Sequence, residues 1–202
     1  MRDDVRALVA LSATIAQQDP ELLETALAEA AQRAAAEHVE EALLQSYLFV
    51  GYPAALQAIG RWREMTGRAA PPPTPGSWEE WAERGARVCS LVYGGQYERL
   101  RENVRRLHPE METWMVVEGY GKVLGRPDLP LATRELCIVA LLAVQRAPAQ
   151  LYSHLLGALQ VGAPEADVEE TLAIAGGVSG AERAALASQV WQKVRARSAS
   201  GE

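Results

Sequence analysis

A chain of 202 residues, 49% of them apolar, can bury a substantial core in one large domain or two small ones. A net charge of −6 speaks against a sequence-independent hold on nucleic acid, which needs clustered cations, and no apolar run approaches the roughly 20 residues of a membrane span. Met1 is followed by Arg2, Asp3 and Asp4 rather than by a signal-type apolar stretch, so the expected location is cytoplasmic.

Apolar residues recur at helical spacing throughout and no segment alternates as a strand does, so an all-α fold is expected. In chain order the spacing predicts helices over 4–18, 20–36, 38–49 and 53–65, the last two parted at Gly51 and Tyr52. The stretch TGRAAPPPTPGS, residues 66–77, cannot continue a helix, because consecutive prolines lack amide donors and fix φ. It reads as a linker between a first helical segment, 1–65, and a second, 78–196. Within the second, helices are expected over 78–92, 96–107, 109–118, 132–146, 148–161, 165–175 and 181–196, with a frayed tail at 197–202.

One basic stripe stands out, Arg99, Arg101, Arg105 and Arg106, but Glu98 and Glu102 are threaded through it and it reads as a solvated helix face. Cys89 and Cys137 are far apart and form no CxxC, so neither a disulfide framework nor a zinc spacing is present; each is expected as a buried small apolar residue.

Two parts of the chain repeat each other. Arg6 and Leu8 correspond to Arg134 and Leu136, Gln17 and Pro20 to Gln145 and Pro148, and Leu23, Leu27 and Gln32 to Leu151, Leu155 and Gln160. After a shift of one residue, Val39, Glu40, Glu41 and Leu43 match Val168, Glu169, Glu170 and Leu172, while Gly51 and Trp62 fall opposite Gly180 and Trp191. Ordered matches of this length favour duplication over two unrelated helical hairpins of similar composition.

The residues best suited to chemistry lie between Tyr120 and Gly162, expected as a loop and two helices. Pro127 and Pro130 break the preceding helix, and Glu135 is expected in the first turn of the next, where the dipole favours a carboxylate. It shares a face with Ile138, Val139 and Leu142, so partial burial could fit it for acid/base work; a capping or ion-pair role is the simpler alternative. His154 lies midway along the following helix, from which it could reach Glu135, although a lone helical histidine can equally be structural. His38 and His108 have no comparable setting, and no group has metal-ligand spacing.

Tyr120, Gly121, Val123, Arg126, Pro127, Leu129, Pro130, Thr133, Arg134, Leu136, Leu151, His154, Leu155, Ala158 and Gly162 stand in an order that resembles the core of γ-carboxymuconolactone decarboxylases, within the carboxymuconolactone decarboxylase and alkylhydroperoxidase D superfamily. The similarity runs from about Trp81 to Trp191, and the first segment resembles a superfamily repeat through Glu41, Leu44, Tyr47, Gly51, Tyr52 and Pro53. The resemblance implies an alkylhydroperoxidase D-like helical fold of two tandem repeats and a homo-oligomer, trimer or hexamer. It also implies one histidine site per chain, because Ala7 and Ala26 stand where the second copy has Glu135 and His154.

The Glu, CxxC and His of the peroxidase branch fall on Glu135, Ala147, Gln150 and His154, so both thiols are missing. The decarboxylase branch needs no thiol, metal or organic cofactor, and the resemblance therefore implies a cofactor-free enzyme acting on a small carboxylated lactone or related metabolite. His154, Glu135 and Gln150 are its expected catalytic residues. Arg126, Arg134 and Tyr120 are the expected substrate-binding residues, ordinary surface ion pairing being the alternative for the arginines. In two respects the chain departs from that branch: Gln150 replaces a usual acid, and 176–184 lacks the GxP turn. A peroxide-metabolising enzyme and a non-catalytic binding or assembly protein are the competing readings.

Overall fold

The computed structural model describes the backbone of residues 1–200 and the side chains of 1–197, and is all-α, with no strand among the described residues. Two compact units arise by contact, one from 1–69 with 128–202 and the other from 70–127. This division follows packing, whereas the expected boundaries at 65, 77 and 196 follow the linker and the repeat.

In the first unit, α1 (Asp3–Gln17) and α7 (Leu131–Gln145) pack against each other and against α9 (Glu165–Ser179), burying Leu8, Leu11, Ile138 and Leu141 almost completely. Both α1 and α7 end on a non-glycine residue in the left-handed region, Gln18 (φ 60, ψ 32) and Arg146 (φ 60, ψ 43). The next helices, α2 (Pro20–Arg33) and α8 (Pro148–Gln160), each start on a proline, which is tolerated there because the first amide of a helix has no intrahelical partner. The long helix α3 (Ala36–Thr66) is broken at Gly51, whose φ of 77 and ψ of 169 leave the helical region. Gly180 (φ 90, ψ 169) parts α9 from α10 (Ala181–Ser200) with nearly the same geometry. The indole of Trp62 donates to Glu40 at 2.6 Å, and that of Trp191 to Glu169 at 3.3 Å.

In the second unit, Ser77 and Glu80 form a capping box at the start of α4 (Trp78–Tyr93). Beyond it lie a short 3-10 turn, α5 (Tyr97–Leu107) and α6 (Pro109–Trp114). The residues that follow correct the expected loop at Tyr120. Met115–Leu124 continue as a π-helix, and irregular backbone begins only at Gly125. Glycines explain how this rare form is held against α4. A Cβ on Gly85 would lie 1.9 Å from the Val116 carbonyl, and one on Gly121 would lie 2.0 Å from the Trp81 carbonyl, so the two backbones touch where no side chain fits. No described helix is long and apolar enough to cross a membrane.

Candidate functional site

The first unit brings Glu135 and His154 together. Glu135 lies in the second turn of α7, not the first as expected, because the helix starts at Leu131; it is wholly buried. An ionisable group there cannot serve as a solvent-facing cap. His154, midway along α8 and 7% exposed, places Nδ1 2.8 Å from Glu135 Oε2. The other carboxyl oxygen, Oε1, is buried with no hydrogen-bond partner. A single proton held on Nδ1 satisfies the short contact, and in that tautomer Nε2 is the nitrogen with the basic lone pair.

A third element closes on the imidazole. Phe49, at the kinked middle of α3, meets the His154 ring edge to face at a centroid distance of 5.7 Å. Its carbonyl accepts a hydrogen bond from the Gln145 side chain at 2.8 Å, which ties α3 to the end of α7. Close by, Tyr47 and Tyr52 stack across the Gly51 kink at 5.1 Å.

Arg134, the neighbour of Glu135, is wholly buried as well. Its guanidinium donates to Glu41 Oε2 at 2.7 Å and to Gln45 Oε1 at 3.2 Å, and the Gln45 amide returns a bond to the Arg134 carbonyl at 3.3 Å. A charge enclosed in this way positions α7 against α3. Gln150 is exposed on α8, one turn before His154.

Tyr120 and Arg126 belong to the other unit. Tyr120 is buried in the π-helix, with its hydroxyl 3.2 Å from that of Tyr93, and Arg126 donates to Thr74 at 2.6 Å. Both cysteines are wholly buried. Burial pushes the Cys137 thiol up to about 11, against smaller opposing effects of Ser12 and Arg134, so at neutral pH almost none is thiolate. No cluster of His, Cys, Asp or Glu among the described residues could hold a metal ion.

Sequence reasoning did not single out Phe49, Gln45 or Gln145 for the site, and it noted Glu41 only as part of a repeat. Phe49 is the one phenylalanine in the chain, but nothing in its neighbourhood forecasts a partner on α8. Glu41 and Arg134 are separated by 93 residues, so their pairing exists only in three dimensions.

The chain is 32% identical over 139 residues to Peroxisomal protein 2 of Schizosaccharomyces pombe, an alignment covering 64% of this chain and 63% of that protein. A family model described as Carboxymuconolactone decarboxylase family matches residues 110–193, which hold both Glu135 and His154. The chain thus carries a region, residues 110–193, that is similar to the carboxymuconolactone decarboxylase family.

Proposed function

We propose that the chain is a cofactor-independent acid/base enzyme acting on a small carboxylated lactone or a related compound, with His154 and Glu135 moving the proton. The observation that carries this reading is the buried 2.8 Å contact between the two groups, beside a carboxyl oxygen that no protein group satisfies. With its proton on Nδ1, the imidazole takes or returns a proton at Nε2, and Glu135 stabilises the imidazolium that forms. Loss of CO2 leaves an electron pair that the conjugated carbonyl of the substrate accepts, and the imidazolium then protonates the carbon skeleton. Gln150, on the exposed face of the same helix, orients the substrate. Arg134 acts through position, because its charge is spent on Glu41. The reading stands on the 1–69 and 128–202 unit, and Tyr120 and Arg126 are retained as candidate binding groups on the other.

Release of CO2 from a panel of lactone acids tests the proposal. Activity should fall at least about 100-fold in both His154→Ala and Glu135→Gln while the fold persists. Turnover that survives both substitutions would overturn it. Thiol-dependent peroxide reduction is the reading that buried Cys89 and Cys137 speak against. A non-catalytic binding protein would leave both variants without effect.

We also infer a duplicated ancestry. It is supported by the left-handed residues after α1 and α7, the proline starts of α2 and α8, the glycine breaks at 51 and 180, and the two Trp–Glu contacts. A homo-oligomer, trimer or hexamer, is proposed as well, and light scattering on the purified chain would measure it. The cytoplasmic location is likewise proposed; cell fractionation would decide between it and the organelle for which the fission-yeast relative is named.

A further inference from the structure

We propose that the first unit carries a second ligand site, separate from His154, which takes a small monocarboxylate with an apolar or aromatic body. A cavity of about 350 Å³ opens where the end of α1, the start of α2 and the second half of α3 diverge. Its volume lies within the range of small-molecule pockets, in a unit otherwise packed tightly enough to leave Leu8, Leu11 and Leu27 almost without exposure.

The lining divides by chemistry. Ile15 and Ala54, at 2% and 7% exposure, form an apolar floor with the half-buried Leu23, while Gln18, Gln57 and Arg61 line the open side. Two polar side chains of the lining already have partners. The Thr14 hydroxyl donates to the Ala10 carbonyl at 2.8 Å, and Asp19 Oδ1 accepts the amides of Glu21 and Leu22 at the start of α2. A cation can therefore find no carboxylate with both oxygens at liberty.

Arg61 is different. It pairs with Glu64 at 2.9 Å, the two side chains being 51% and 68% exposed, and such a pair contributes little. The guanidinium can turn from Glu64 to a ligand carboxylate at small cost, and Gln57, one turn earlier on α3, supplies an amide to the same group. An apolar body on the floor with a carboxylate at the mouth satisfies both parts of the lining. The acid/base pair has no counterpart here, because no histidine lines the cavity and its one carboxylate, Asp19, caps the start of α2. Binding without turnover follows.

Titration of the full chain with sodium benzoate, followed by amide NMR, tests this. Saturable shifts are expected at the Gln18 and Gln57 side-chain amides and the Ala54 backbone amide, with a dissociation constant of roughly 1 mM. Arg61→Gln should weaken binding at least about tenfold, and Leu23→Trp should abolish it by filling the floor while the remaining spectrum stays folded. His154→Ala should leave it intact, which separates this site from the one proposed above. The proposal is overturned if the pocket amides do not shift, if Leu23→Trp binds as the parent does, if His154→Ala loses the response, or if neutral benzamide binds as tightly as benzoate.

Discussion

Three ionisable side chains near the start of α7 owe their properties to enclosure. Glu135, Arg134 and Glu41 are all essentially inaccessible, so each depends on a partner in the protein rather than on water. Glu135→Ala removes the bond to His154 Nδ1 and should cost about 1–3 kcal/mol in urea unfolding. Glu41→Ala breaks a fully enclosed ion pair and should cost more, about 3–5 kcal/mol, whereas Glu41→Leu with Arg134→Met should recover most of the loss. A double variant no more stable than Glu41→Ala would show that the charges themselves are required. Cys137 offers a separate check. With its thiol near 11, it should resist a disulfide reagent at pH 8 in the native protein and react once the chain is unfolded.

Helix geometry depends on where backbones approach one another. Gly121 sits against the Trp81 carbonyl, so Gly121→Ala forces α4 and the π-helix apart and should destabilise by about 1–3 kcal/mol or more. A Cβ on Gly51 would meet only Pro53 Cδ, at an ordinary 3.7 Å, but φ is 77, and Gly51→Ala should cost roughly 1–2 kcal/mol through backbone strain alone. Gly60 lies inside α3 with nothing within 4 Å of a Cβ, and Gly60→Ala should stabilise by about 0.5–1 kcal/mol. Thermal melts of the three variants would separate steric from conformational causes. The kink at Gly51 was legible because a glycine precedes Pro53 in an otherwise helical pattern. The π-helix was not, because its apolar spacing over so short a span reads as ordinary helix, and what favours the wider turn is close contact with α4.

Acid stability is a property summed over both units. Burial alone would raise the Glu40 carboxyl, but hydrogen bonds from Arg63 and Trp62 outweigh it and hold the group below its ordinary value. Glu112, in the other unit, is likewise pulled below by Arg101 and Arg105 against its burial. A carboxyl lowered on folding contributes stability that is complete above its unfolded value of about 4.3 and is lost as pH falls through the folded value. The urea midpoint should therefore hold steady from pH 7 to 5 and decline below, with a shallower decline in Glu40→Gln and Glu112→Gln. An unchanged acid slope in both variants would assign the decline to other groups. Fold class was already written in the chain, because helical spacing, proline starts and breakers act within a few residues of one another. So were the candidates Glu135 and His154, since imidazole and carboxyl chemistry belongs to residue type. Their contact, the burial of Arg134 against Glu41, and the approach of Phe49 were decided only when α3, α7 and α8 packed together, because pairings across so many residues depend on how helices cross and not on local spacing.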